Sequence, residues 1–325
     1  MNKKLSPTDS QALYFVKAVA ILSAVAAHAS VIDTTTRAST VITCLWDIFS
    51  CLSIGCFLIT GGILYTRAPG DSLKFWKHKS VTIILPWVFC ASLTCAIRAL
   101  CGHGVDLWGY FRWILGDGTW YYYVTIYLFM LAFFKPICNC GPALWGCVAV
   151  NALVLALRAK NIDLFAGLGL SDYLNPLHWF GFFALGILLR RRELKLSKGF
   201  FAVCCLVFAV SLFYVYRNGI FTYFHIANAI YAASGFFVLF GLGRLLSDSP
   251  LSGIIRELGA TTYCVYLLHM QIVQSVARKV PLGLFHHLFI PLVGMAVMMV
   301  LVELGKWITR KLPLGKYLRM LVGLR

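Results

Sequence analysis

Lys17 and His28 stand eleven residues apart on the hydrophobic run from Leu13 to Ile32. In an α-helix eleven residues make three turns plus about 20° and a rise of roughly 16 Å, so both groups fall on one stripe of one helix. An ionisable group is costly inside a membrane helix and is a functional candidate by default. Two on one face suggest a lined passage. An unperturbed imidazole such as that of His28 titrates near neutrality, which suits a general base acting on a hydroxyl. Its alternative role is structural, as a neutral ring hydrogen-bonded inside a bundle. Lys17, nearer the start of the run, either meets a phosphate-bearing ligand or snorkels to the headgroups.

Other polar groups join this pair as candidates. The segment DSLKFWKHKSVTIILP carries Lys74, Lys77, His78 and Lys79, which act as topology determinants, as headgroup contacts or as a seat for an anionic cosubstrate. The segment GDGTWYYYVTIY places Trp120 beside Tyr121, Tyr122 and Tyr123, either an interfacial belt or a platform for a sugar. His178, His225 and His269 are further histidines within apolar runs, each structural when taken alone; with His28 they could line one polar cavity.

The elements that position these groups are membrane helices. Of 325 residues 60% are hydrophobic and 13% charged, with a mean hydropathy of +0.80, about half the charge of a soluble domain. The expected fold is all-α, a polytopic membrane bundle forming a single domain over 1–325. Ten spans are expected at about 13–32, 41–66, 81–101, 119–138, 142–158, 175–190, 199–216, 222–246, 258–278 and 286–309. The N-terminal MNKKLSPTDSQ runs straight into the first of them without a small-residue cleavage site, so a retained helix is expected rather than a removed leader.

The net charge of +17 lies in short loops between apolar runs, which disfavours a nucleic-acid partner and favours contact with membrane lipid. One set of loops holds 20 Lys or Arg, and the opposite set holds eight: Arg37, Arg98, Arg112, Arg158, Lys160, Arg217, Arg278 and Lys279. That asymmetry puts both termini in the cytoplasm and the protein in the cell's inner membrane. Most of the twelve cysteines sit within hydrophobic segments as small apolar residues, and no CxxC occurs, so no metal site is expected. The tail KLPLGKYLRMLVGLR either lies along the interface or is solvated.

Six stretches, in order, resemble acyltransferase family 3 of integral membrane proteins, and the likeness covers nearly the whole chain. YFVKAVAILSAVAAHAS resembles its first helix, where a basic residue, ten intervening positions and a His form the signature, here Lys17 and His28. FLITGGILY is similar to its FF-x-x-SG stretch, with Thr60 for the usual Ser, and FWKHKSVTIILPW resembles its basic loop ending in proline. TWYYYVTIYLFMLAFFKP, HWFGFFALGILLRR and LGATTYCVYLLH are similar to three later helices, the last ending at His269. The nearest subgroup looks like the enterobacterial common antigen O-acetyltransferase and related surface-polysaccharide enzymes.

The resemblance implies an acyl-CoA donor, usually acetyl-CoA, used as a cosubstrate rather than a tightly bound cofactor. It implies an acceptor hydroxyl on a glycan or lipid-linked sugar. By matched position His28 is the catalytic residue and Lys17 its partner in donor or acyl handling, with Trp120, Tyr123 and His269 facing substrate. Lys79 matches the first position of a basic pair. The second falls on Thr82 or Ile83, both uncharged, so Lys77 and Lys74 are the substitutes. A transporter or a non-catalytic accessory module, for glycan export or amino-acid uptake, is the competing reading. Homo-oligomer formation is left open.

Overall fold

The computed structural model describes residues 5–29, 35–65, 72–164, 169, 171–280 and 286–324. About 80% of the structure is helix, and no strand occurs among the described residues. The chain forms α1 (Pro7–Ala29), α2 (Arg37–Ser50), α3 (Leu52–Ile63), α4 (Ser72–Lys79), α5 (Leu85–Leu100), α6 (Leu107–Leu115) and α7 (Tyr122–Ile137). It continues through α8 (Gly141–Arg158), α9 (Phe180–Arg191), α10 (Lys198–Arg217), α11 (Ile226–Leu245), α12 (Ser252–Lys279), α13 (His286–Arg310) and α14 (Gly315–Leu321).

Among the described residues seven helical stretches are long and apolar enough to cross a membrane: α1, α2 with α3, α4 with α5, α8, α10, α11 and α13. The expected span ends at residues 30–32 and at Thr66 lie outside the described residues. Three other expected spans also fall on helices, but α7 is shorter, α9 has 12 residues, and α12 carries charge at both ends.

The helix α1 is the core element, in contact with α2, α3, α11, α12 and α13. Its buried face is small (Ala12, Ala20, Ser23, Ala24, Ala26), and small residues let helix backbones approach closely in a medium that offers no hydrophobic drive between helices. The closest approach is at Gly259 of α12. A Cβ there would lie 2.5 Å from the Tyr14 carbonyl oxygen and 2.8 Å from its Cα. A second such contact joins α3 to α9, where Gly62 and Gly186 face each other backbone to backbone. At the Lys17 end of α1, Arg244 of α11 donates to Asp9 and to the Leu194 carbonyl, tying three segments together.

Two membrane helices are interrupted, and at each break a hydroxyl from another helix bonds a backbone carbonyl. Between α2 and α3 the chain breaks at Cys51, and the carbonyls of Phe49 and Ser50 accept from the Ser23 hydroxyl of α1 (2.6 and 3.0 Å). Tyr223 also donates to the Ser50 carbonyl (3.1 Å). Between α4 and α5, residues Ser80–Ile84 form one π-helical turn, with the Leu85 amide bonded to the Ser80 carbonyl. Pro86 follows immediately; lacking an N–H, it removes one bond of the regular ladder. The Tyr263 hydroxyl of α12 donates to the Ile83 carbonyl there (2.7 Å). Breaks of this kind are tolerated at membrane depth only where side chains or water satisfy the backbone.

The tail does not run free along an interface. After α14, which rests on α5, Gly323 packs on Tyr263 and Leu324 is buried beside the α5 and α12 core.

The Gly259 contact yields a stability test. Gly259→Val forces α1 and α12 apart and is expected to destabilise the fold by about 1–3 kcal/mol, the usual cost of overpacking. The change would be read as a lowered melting temperature in detergent by tryptophan fluorescence, and an unchanged melting temperature would remove the contact from the core of the fold.

Candidate active site

Two cavities lie along α1, one beside its first half at Tyr14 and Lys17 and the other at its end beside Ala27 and His28. The first, about 620 Å³, is lined by Lys17, Lys79, Thr82, Ile83, Tyr123, Tyr263 and Tyr266, among others. The second, about 850 Å³, is lined by His28, Asp47, Ser50, Trp120, Tyr122, Tyr173 and Tyr223, among others. Lys17 and His28 therefore mark the two ends of one stripe, as their spacing requires, but each faces its own chamber.

What separates the chambers is a septum of rings. From the Lys17 side, Tyr123 lies against Tyr266 with centroids 5.4 Å apart. Tyr266 lies 5.8 Å from His269, and His269 lies 5.1 Å from His28. Tyr266 is fixed by donating its hydroxyl to the Trp120 carbonyl, and Tyr121 by bonds to Thr94 (3.1 Å) and to the Leu267 carbonyl (3.2 Å).

His269 is 1% exposed, and its Nδ1 lies 2.7 Å from the Tyr266 carbonyl oxygen. A carbonyl only accepts, so Nδ1 carries the proton and the neutral ring keeps a lone pair on Nε2. That Nε2 is buried and has no hydrogen-bond partner. An unpartnered acceptor in so dry a place is rare and calls for an explanation.

The aromatic run TWYYY, a turn that leads into α7 at Tyr122, is divided between the chambers. Trp120 and Tyr122 face the His28 cavity, Tyr123 faces the Lys17 cavity, and Tyr121 is buried between them. The four histidines do not share one cavity. His178 bonds the Asp172 carbonyl (2.9 Å) and packs on Phe224, while His225 caps α11 by accepting from the Ala227 amide (3.1 Å). Only His28 and His269 meet.

Lys79 lines the Lys17 cavity, placed there at the head of the π-helical turn. Lys74 and Lys77 are exposed on α4 and are not among the residues lining it. Two cations the sequence did not single out enter from α13: Lys306, held between Glu257 and Glu303, and Arg310 at the mouth. Their signal was present in the polar positions 303, 306 and 310, spaced three and four apart at the end of an otherwise apolar helix. Gln271, Gln274 and Arg278 make a similar stripe on α12, and all three line the His28 cavity. Asp47, half-buried in α2, is a carboxylate of that cavity also missed in the sequence. No cluster of potential metal ligands occurs among the described residues.

A histidine pair reached from one cavity directly and from a second through a line of rings can bring together two reactants that arrive from different directions. A family model described as an acyltransferase domain, that of acyltransferase family 3, matches residues 11–310. No curated protein and no solved structure gives a match.

The opposed openings can be tested with two exposed cysteines. Cys101 lines the His28 cavity, whereas Cys140 lies at the other end, next to Gly141 and near Arg191. In sealed vesicles of one orientation a membrane-impermeant maleimide is expected to modify only one of them, as read by mass spectrometry. Modification of both from one side would contradict the two-ended geometry.

Proposed function

The chain belongs to acyltransferase family 3, whose model spans nearly all of it, and from that premise we propose that it is a membrane O-acyltransferase working across the septum. In this reading ten helices cross the inner membrane and both termini are cytoplasmic, as the loop cations favour. The Lys17 cavity then opens to the cytoplasm and takes acetyl-CoA. The His28 cavity opens to the other side and takes a hydroxyl of a surface glycan or lipid-linked sugar.

The observation that carries the proposal is the line of rings that joins the two cavities, from Tyr123 and Tyr266, which line the Lys17 cavity, through buried His269 to His28, which lines the other. The donor's phosphates are held by Lys17, Lys79 and Arg310, with Lys306 beside them. Arg310 supplies the charge missing at Thr82 and Ile83, since Lys306 is engaged by Glu257 and Glu303. The pantetheine arm runs along the α1 stripe, which spans about 16 Å. It reaches His28 only when the Tyr123, Tyr266 and His269 rings move off the line, which opens the bond from Tyr266 to the Trp120 carbonyl. An imidazole nitrogen of His28 takes the proton of the acceptor hydroxyl as that oxygen attacks the thioester carbonyl carbon. The C–O bond forms, the C–S bond breaks, and the departing thiolate takes the proton back from the imidazolium as free CoA. An acyl-histidine intermediate on His28 gives the same balance in two steps.

Two predictions separate the roles. His28→Ala is expected to lower CoA release by at least about 10²-fold, the scale of one general base, while acetyl-CoA binding by calorimetry stays unchanged. Full activity in that variant would overturn the mechanism. Absence of saturable donor binding by the wild type would favour the transporter reading instead. In the second test Lys17→Ala, Lys79→Gln and Arg310→Gln each weaken acetyl-CoA binding by about tenfold, as expected for loss of one phosphate contact, whereas Lys74→Gln does not. Equal weakening by Lys74→Gln would move the donor seat out of the cavity and onto α4.

A further inference from the structure

The side of the protein with few cations places two of them at one opening. Of the eight on that side, Arg112 is paired with Asp117, and Arg158 with Asp163 and Asp172. Arg98, at the end of α5, and Arg278, at the end of α12, line the His28 cavity, and neither forms an ion pair among the described residues. Arg98 is held in place by its guanidinium lying 5.3 Å from the Trp113 ring centroid, which leaves its planar edge available. Arg278 has only a long contact, 3.4 Å, with Gln274. Cations on a translocated face work against membrane topology, so two unpaired arginines converging on a cavity mouth need a reason.

We propose that the acceptor carries an anionic group, a carboxylate or phosphate, which Arg98 and Arg278 hold at the cavity mouth while its reacting hydroxyl points inward to His28. Guanidinium forks match the planar or tetrahedral oxygens of such groups with paired hydrogen bonds. The distribution of charge sets the orientation. Both arginines are exposed, whereas Asp47, the carboxylate lining the same cavity, is half-buried. An acid group is therefore repelled from the inner wall and drawn to the rim. The inner wall, with the Asp47 carboxylate and the hydroxyls of Tyr122 and Tyr223, suits neutral sugar hydroxyls. The acceptor class is thus an acidic glycan, a uronate or a phosphorylated sugar, presented hydroxyl first. The inference rests on the acyltransferase reading of the same cavity.

The test uses the full chain in nanodiscs with radiolabelled acetyl-CoA and a glycan extract from the envelope of the cells that express it. Labelled product is expected to bind an anion-exchange resin. Arg98→Gln and Arg278→Gln are each expected to raise KM for that acidic fraction by about tenfold with kcat and donor binding unchanged. The KM should also rise with salt, as screening weakens the steering charge, and Arg98→Lys should retain that salt dependence. Label found only in neutral product, or an unchanged KM in the double variant, would overturn the inference and leave the acyltransferase reading intact. No transfer to any fraction would overturn both. Nanodiscs of purely zwitterionic lipid are compared with discs containing an anionic lipid. An arginine effect confined to the anionic discs, on neutral and acidic acceptors alike, would assign the pair to a lipid headgroup and overturn the inference.

Discussion

The backbone contact between Tyr14 of α1 and Gly259 of α12 sets the rest of the site. Both reacting chambers are walled by these two helices, and every polar group of the septum belongs to them or touches them. With the crossing point fixed, helical rise alone places the groups along each helix. Lys17 lies one turn beyond Tyr14, Tyr266 two turns beyond Gly259, and His269 comes level with His28. A side chain at 259 would separate the helices and lengthen every distance in the septum together. In a bilayer this contact rests on packing rather than on exclusion of water, so its closeness is what gives it strength.

The two helix interruptions belong to the same design. A regular helix has no spare backbone polar groups, and a chamber lined only by regular helices would be polar only through side chains. The break at Cys51 turns Asp47 and Ser50 toward the His28 cavity, and the π-helical turn at Ser80–Ile84 brings Lys79, Thr82 and Ile83 to the other. Each break is stitched by a hydroxyl from another helix: Ser23 and Tyr223 at the first, Tyr263 at the second. π-Bulges recur at functional sites because they re-aim side chains without ending the helix.

Much of this was legible because it depends on local periodicity. Lys17 and His28 stand out against an apolar run, and their spacing places them on one stripe whatever the helix packs against. The groups read less well owe their position to tertiary contacts. Lys306 and Arg310 resemble an ordinary basic helix end until α13 is seen to turn that end into the Lys17 cavity. Arg98 and Arg278 are far apart in sequence and look like stray loop cations until α5 and α12 bring them to one mouth. Lys74, Lys77 and Lys79 share a segment, and the π-helical turn decides which of them reaches the cavity, a local irregularity that hydropathy does not register. His269 was visible as a histidine in an apolar helix, but its proton position depends on the Tyr266 carbonyl beside it.

The thin septum also has an electrical consequence. In the proposed arrangement, chambers of about 850 and 620 Å³ open to opposite sides and leave a few packed rings as the insulating layer. In an energised membrane the potential drops where conducting paths end, so most of it falls across the Tyr123–Tyr266–His269–His28 array instead of over the full bilayer. The local field there is about twice that across a bilayer core of about 30 Å, since the rings span about half that depth. A full charge crossing the array gains or loses about 2.3 kcal/mol per 100 mV. Any step that moves a proton or a thiolate through it is therefore geared to the energy state of the cell.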